Sequence, residues 1–123
     1  MASSRDKAPF IRASEPNVHP TKITFYEWFE PIILSGDKTI TIRDEAESHY
    51  VPGTRVAVHT YETDRWFCDI EICAVTPIQF DALNQEHARQ EHLSLEDLKR
   101  IIRDIYPDLD SLYVIEYRLL SRD

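Results

Sequence analysis

The chain has 123 residues, of which 42% are hydrophobic and 29% charged, a balance typical of one globular domain that can bury its own core. Its formal net charge of −8, from 22 acidic and 14 basic residues, disfavours tight binding to long nucleic acids but does not exclude an uncharged nucleoside. The two cysteines fit neither a disulfide framework nor a metal motif, and no apolar run is long enough to cross a membrane. We therefore expect a cytoplasmic protein without a metal or other cofactor.

The N-terminal stretch, residues 1–21, is rich in Ser, Pro and charged residues and shows no apolar period. This composition predicts a flexible tail that precedes one domain over residues 22–120. The domain is expected to begin with a short strand, "KITF". The next segment, "YEWFEPIILSG", carries large apolar residues at helical spacing. Because Pro31 would interrupt a long helix and Gly36 suits the residue after a helix end, we expect one or two helical turns.

Three strands are predicted in the middle of the chain. The first is "KTITIR", residues 38–43. After a polar loop, "TRVAVHTYE" and "RWFCDIEICAV" alternate with a period of two, and the intervening "TDR" predicts an antiparallel hairpin. Cys68 shares a face with Ile70 and Ile72, so we expect an unreactive core cysteine.

The period then changes to that of a helix. "QFDALNQEHARQEH" predicts one helix, with Phe80, Leu83, His87 and Glu91 along a single stripe. "SLEDLKRIIRDIYP" predicts a second helix capped by Ser94, and "SLYVIEYRLL" predicts a last strand. The inward face of the second helix is expected to comprise Leu95, Leu98, Ile101, Ile102 and Ile105. The pattern favours an α+β fold, a small, mostly antiparallel β-barrel with two or three flanking helices.

The polar face of "KTITIR" has two interpretations. Alternation places Thr39, Thr41 and Arg43 on one face, which is also what a solvated sheet surface would show. In the second interpretation, the face lines a cleft and Lys38 takes the proton of the Thr41 hydroxyl. Lysine can do so when its pKa is depressed, and the positive charge of Arg43 acts in that direction.

Geometry argues against the second interpretation in one respect. Lys38 and Thr41 are three positions apart, so an ideal strand points them to opposite faces. They can meet only if Lys38 lies in the turn that precedes the strand. Glu91 is likewise open to two interpretations, because it either leaves the core for water or lines a cleft where it can protonate a departing amine.

Other candidate sites are weaker. His87 and His92 are five apart, which is the wrong spacing for a helical zinc site. Four aromatic residues are candidates for stacking on a planar substrate, namely Phe25, Tyr26, Trp28 and Trp66.

Five segments together resemble the small bacterial ASCH-domain proteins that act as N4-acetylcytidine amidohydrolases. They are "ITFYEWFEPIILSGDKTITIRDEAESHY", "FCDIEI", "HARQEHLSLEDLK", "DIYP" and "YVIEY", within residues 22–120. The resemblance implies a PUA-like β-barrel and metal-independent hydrolysis of the N4-acetyl amide of a small modified nucleoside. It also implies that Lys38 is the general base, Thr41 the nucleophile and Glu91 the proton donor. Arg43 matches the arginine of the motif and is expected to bind substrate or stabilise charge.

The alternative is a non-catalytic RNA-binding or interaction module on the same PUA-like fold, because a fold alone does not fix a function. That alternative predicts a basic surface stripe and a dispensable Thr41. The acidic composition and the Lys-Thr-Glu set favour the enzyme. The sequence does not indicate an oligomeric state.

Overall fold

The computed structural model describes residues 19–120, so the predicted N-terminal tail lies outside the described residues up to residue 18. The strands are β1 (Lys22–Phe25), β2 (Ile40–Arg43), β3 (Arg55–Thr60), β4 (Trp66–Gln79) and β5 (Ser111–Leu119). The α-helices of this part of the chain are α1 (Glu30–Leu34), α2 (Gln85–Gln90) and α3 (Leu95–Ile105). None of them is long and apolar enough to cross a membrane.

The strands form one mixed sheet in the order β1-β3-β4-β5-β2. β1 runs parallel to β3 and the other three pairings are antiparallel, which agrees with a mostly antiparallel sheet. The sheet is not closed into the expected barrel, since β1 and β2 are its two edges. Both edge strands line one pocket, which lies where a barrel seam would otherwise close.

The hairpin of β3 and β4 is confirmed, but β4 is longer than predicted, with 14 residues. The pairing register of β4 with β5 shifts between Ile72 and Ala74, and Cys73 is exposed at this point. This bulge lies within the predicted run, which ends at Val75. The strand continues for four more residues, which include Pro77, a residue disfavoured inside strands. Cys68 is fully buried, as expected for a core cysteine.

The first helical segment is as short as predicted. A 3-10 turn, Glu27–Phe29, leads directly into α1. Pro31 lies in the first turn of α1, where its missing N–H breaks no hydrogen bond. Gly36 follows the helix with a φ of +84°, a conformation that suits glycine.

The predicted helix over "QFDALNQEHARQEH" is wrong in its first half. Phe80–Ala82 is a 3-10 turn and Leu83 is extended, so Phe80 and Glu91 do not share one helical stripe. α2 begins after Asn84, whose side chain accepts hydrogen bonds from the backbone of Glu86 and His87. This cap stops the helix from extending further toward the N-terminus.

α3 begins at the predicted cap, because the Ser94 side chain accepts a hydrogen bond from the Asp97 N–H at 3.1 Å. Leu98 and Ile102 are buried as predicted, but Ile105 is exposed at the helix end. Two apolar cores result. One is formed by β1, β3, β4 and α1, the other by α2 and α3 packed on β2, and β5 contributes to both.

Candidate active site

A pocket of about 300 Å³ lies between the two edge strands and α3. All four sequence-predicted site residues line it, namely Lys38, Thr41, Arg43 and Glu91. One side is aromatic and polar, with Thr24, Phe25, Tyr26, Phe29, Glu47 and Tyr61. The other side is apolar and comes mainly from α3 and its flanks, with Ile42, Leu93, Leu98, Ile101, Ile102, Ile105 and Tyr106.

Lys38 lies in the turn before β2, outside the alternation of the strand, and lines the same pocket as Thr41. The backbone N–H of Lys38 donates to Ile32 O at the end of α1, at 3.2 Å. The Tyr117 hydroxyl donates to Lys38 O at 2.8 Å. The next residue, Thr39, donates its N–H to Gln90 O at 2.8 Å. Hydrogen bonds from three elements therefore fix this turn, and the last of them brings Lys38 next to Glu91.

Lys38 and Glu91 form a buried ion pair between Nζ and Oε1. The ammonium also donates to Ile40 O at 2.7 Å and lies 4.6 Å from the centre of the Phe29 ring. Glu91 is the C-terminal cap residue of α2 and points back into the pocket. Burial of two charges is unfavourable unless they are paired and hydrogen-bonded, and here both conditions hold.

The Thr41 hydroxyl accepts a hydrogen bond from Arg43 Nε at 2.9 Å. The same guanidinium donates to Thr24 O at 2.8 Å, pairs with Glu47 and lies 5.0 Å from the centre of the Phe25 ring. Arg43 thus joins the two edge strands across the pocket and directs a positive charge at Thr41 Oγ1. Within the described residues, Lys38 Nζ bonds to Glu91 and Ile40 and makes no direct hydrogen bond to Thr41.

Burial lowers the pKa of Lys38 below its usual 10.5. The Glu91 carboxylate opposes this by favouring the ammonium, while the charge of Arg43 lowers the pKa further. Burial also raises the pKa of Tyr117 well above 10, and the negative charge of Glu91 adds to this effect. Tyr117 therefore stays protonated and remains a donor to the carbonyl of Lys38.

Sequence reasoning found Lys38, Thr41, Arg43 and Glu91 but not Thr24 or Glu47, and it found only part of the walls. Of the aromatic candidates, Phe25 and Tyr26 line the pocket, whereas Trp28 and Trp66 do not. Three aromatic lining residues were missed, namely Phe29, Tyr61 and Tyr106. The available signal for Tyr61 was a large aromatic residue at the last position of an alternating strand, next to a turn. His87 lies elsewhere, where its Nδ1 accepts from the Asn84 N–H in the cap of α2.

Models of known protein families give no match to this chain. Curated proteins do match. An N(4)-acetylcytidine amidohydrolase from Vibrio parahaemolyticus is 60% identical over 104 residues, which cover 85% of this chain and 97% of the relative. One from a Shewanella species is 55% identical over 101 residues, covering 82% of this chain and 98% of the relative. The chain belongs to the family of N(4)-acetylcytidine amidohydrolases.

Solved structures support the fold. The ASCH domain from Lactobacillus crispatus superposes with a TM-score of 0.66 and 16% identity, covering 82% of this chain and 80% of that chain. An ASCH protein from Zymomonas mobilis superposes with a TM-score of 0.65 and 18% identity, covering 79% of this chain and 66% of that chain. At such low identity the likeness shows the fold alone, and it confirms the expected ASCH domain.

Proposed function

We propose that this chain hydrolyses the N4-acetyl amide of N4-acetylcytidine to cytidine and acetate, with Thr41 as the nucleophile, Lys38 as the general base and Glu91 as the proton donor. One observation carries the proposal. A buried Lys38–Glu91 pair shares a pocket with a threonine hydroxyl, in a chain that belongs to this family. A hydroxyl, an amine and a carboxylic acid are together sufficient for amide hydrolysis through a covalent ester.

The Thr41 hydroxyl is a weak nucleophile unless a base removes its proton. Lys38 can serve as that base because burial lowers its pKa and so raises the fraction of neutral amine. Arg43 supports the same step, since its Nε donates to Thr41 Oγ1 at 2.9 Å. A charged donor on this oxygen stabilises the alkoxide that develops during attack.

The Lys38–Glu91 ion pair already carries the one shared proton that acylation requires. An ammonium next to a carboxylate and a neutral amine next to a carboxylic acid differ only by one proton transfer along the Lys38–Glu91 contact. From the second form, Lys38 accepts the Thr41 proton while Thr41 Oγ1 attacks the acetyl carbonyl carbon. Glu91 then protonates N4, the C–N bond breaks, and cytidine leaves an acetyl-threonine ester behind.

The ester is hydrolysed by the same groups. One proton transfer within the pair restores neutral Lys38, which accepts a proton from an attacking water. The tetrahedral intermediate collapses to acetic acid, and the Thr41 oxygen regains its proton from the Lys38 ammonium. Each turnover therefore consumes one water and returns the pair to its starting form, and no metal or other cofactor is needed.

The RNA-binding alternative has less support. It gives no reason for burying an ion pair beneath a pocket, which is unfavourable for stability. The net charge of −8 also repels a polyanion.

The test is to incubate the purified protein with N4-acetylcytidine and to follow cytidine release by chromatography. Thr41→Ala and Glu91→Gln are each expected to lower kcat/KM by ~10²–10⁴-fold, whereas Thr41→Ser, which keeps a hydroxyl, retains part of the activity. Thr39→Ala is the matched control, since Thr39 lies two positions away and does not line the pocket. Thr39→Ala should match the wild type. A wild type that releases no cytidine would refute the proposed activity, and a fully active Thr41→Ala would refute the nucleophile.

A further inference from the structure

The residues that line the pocket differ in how deeply they are buried. At its floor, Lys38, Thr41 and Glu91 have only 2%, 4% and 5% of their surface exposed. At its mouth, Tyr26 and Tyr61 are 41% and 65% exposed. An amide that reaches the floor must therefore leave the rest of its molecule between these two tyrosines and α3.

The two tyrosines form a pair rather than isolated surface residues. Their ring centres are 5.3 Å apart and the ring planes meet at 70°, a T-shaped contact. In this arrangement the edge of one ring meets the face of the other, so the contact covers at most one face of either ring. Single exposed aromatic residues need no explanation, but a coupled pair that lines a pocket offers a flat apolar surface to a ligand.

The backbone holds Tyr61 in place although its ring is exposed. Its N–H donates to Phe25 O at 2.8 Å, which ties the end of β3 to the end of β1. The turn that follows is tied to the same region, since Glu62 accepts a hydrogen bond from the Glu27 N–H at 2.9 Å. Arg65 reaches across to Glu30 at 2.6 Å. The backbone that carries the ring is therefore fixed before any ligand arrives, which reduces the entropy lost on binding.

We propose that Tyr61, supported by Tyr26, stacks on the pyrimidine ring of the substrate and selects amides whose amine is part of an aromatic base. This inference rests on the proposed function. An acetylated exocyclic amine is conjugated with its pyrimidine, so the acyl group and the ring share one plane. When the acetyl carbon lies at Thr41 on the floor of the pocket, the pyrimidine ring extends toward the mouth of the pocket. Stacking on an aromatic side chain accepts any base through its face and requires no hydrogen-bond pattern.

The test measures binding without turnover. Calorimetric Kd values for N4-acetylcytidine and for the free base N4-acetylcytosine are determined on a Thr41→Ala background. Adding Tyr61→Ala is expected to weaken binding of both ligands by about tenfold, whereas Tyr61→Phe leaves both unchanged. Trp66→Ala is the control, because Trp66 is a similarly exposed aromatic residue outside the pocket, and no change is expected.

Three outcomes of this comparison would overturn the inference. The first is an unchanged Kd in Tyr61→Ala. The second is a loss of affinity for the nucleoside alone, which would place the contact at the ribose, and the third is an equal loss of affinity in Tyr61→Phe, which would assign the contact to the hydroxyl. These outcomes are separate from failure of the proposed function. If the wild type binds N4-acetylcytidine without hydrolysing it, the stacking comparison still decides the inference. If the wild type does not bind it at all, both are refuted.

Discussion

Two ion pairs lie at α2, and they have almost nothing in common except their charges. Arg89 and Glu86 pair across one turn of the helix, with 69% and 59% of their side chains exposed. Lys38 and Glu91 pair across 53 positions of sequence, with 2% and 6% exposed. The first pair is a common feature of helix surfaces, whereas the second requires the fold to bring distant segments together.

The difference indicates what each pair is for. An exposed pair contributes little, because water and salt screen it and two long side chains must be held in one geometry. A buried pair loses several kcal/mol of hydration per ion, which the mutual attraction does not reliably recover. Lys38 and Glu91 are therefore poorly explained by stability. They are better explained by chemistry, since a water-poor site is where the protonation state of an amine can be tuned.

The largest expected effect comes from breaking the buried pair on one side. Lys38→Met removes the proposed general base and leaves the Glu91 carboxyl buried without its partner. We expect kcat/KM for N4-acetylcytidine to fall by ~10²–10⁴-fold. We also expect a loss of ~3–5 kcal/mol in the free energy of unfolding, measured by urea denaturation.

Adding Glu91→Leu to Lys38→Met sharpens this result. With no charge left in the pocket, the double variant should regain most of the lost stability, because apolar replacements of a buried pair are often neutral or stabilising. It should remain inactive. A double variant as unstable as the single one would show that the pair is held for stability, contrary to our interpretation.

The buried pair also shows how far the sequence can be interpreted. Residue types made Lys38, Thr41 and Glu91 candidates, because amide hydrolysis can use an amine, a hydroxyl and a carboxylic acid, but each was also compatible with a solvated surface. The family resemblance assigned the three roles. Spacing was less reliable. Strict alternation placed Lys38 opposite Thr41, since a strand pattern does not show where the strand begins. The helical stripe that suggested Glu91 does not exist as one helix, because Asn84 caps α2 after Leu83.

The walls of the pocket were harder to predict than its floor. The gap between β1 and β2 is a property of strand order, and alternation within each strand is the same in an open sheet and in a closed barrel. The end of β4 escaped prediction because the predicted run stops at Val75 and the following residues include Pro77, which is disfavoured inside strands. Tyr61 becomes a wall only because its N–H bonds to Phe25 O, a contact that no local pattern encodes.

The pH dependence of activity is the next expected effect. The proposed mechanism requires that the Lys38–Glu91 pair hold one proton, so we expect the rate to fall at high pH when that proton is lost. Because burial lowers the pKa of Lys38, the midpoint of this fall should lie below 10.5. Arg43→Met removes a charge that lowers this pKa, so the midpoint should move to higher pH. Profiles of kcat/KM against pH measure the shift.

Two further variants test whether this shift of the midpoint comes from the charge of Arg43 acting on Lys38. Arg55→Met removes an arginine that pairs with Asp69 outside the pocket, and its midpoint should match the wild type. Glu91→Gln removes the charge that raises the pKa of Lys38 and also removes the proposed acid. Its small residual rate should therefore rise with pH, through a pKa lower than in the wild type, as neutral Lys38 accumulates. A midpoint that moves to lower pH in Arg43→Met would contradict the assignment of the base.

The smallest expected effect is at the exposed pair, and it completes the comparison. Arg89→Ala should leave kcat/KM unchanged and shift the midpoint of thermal unfolding by no more than about 2 °C, because the guanidinium is mostly solvated.

In 1 M salt, where the screening length falls to ~3 Å, even the small shift in Arg89→Ala should vanish. The loss of stability in Lys38→Met should persist at the same salt concentration, because mobile ions do not reach a buried pair. Equal salt sensitivity in the two variants would mean that water enters the pocket far enough to screen Lys38 and Glu91, and the tuning of the Lys38 pKa by burial would then no longer hold.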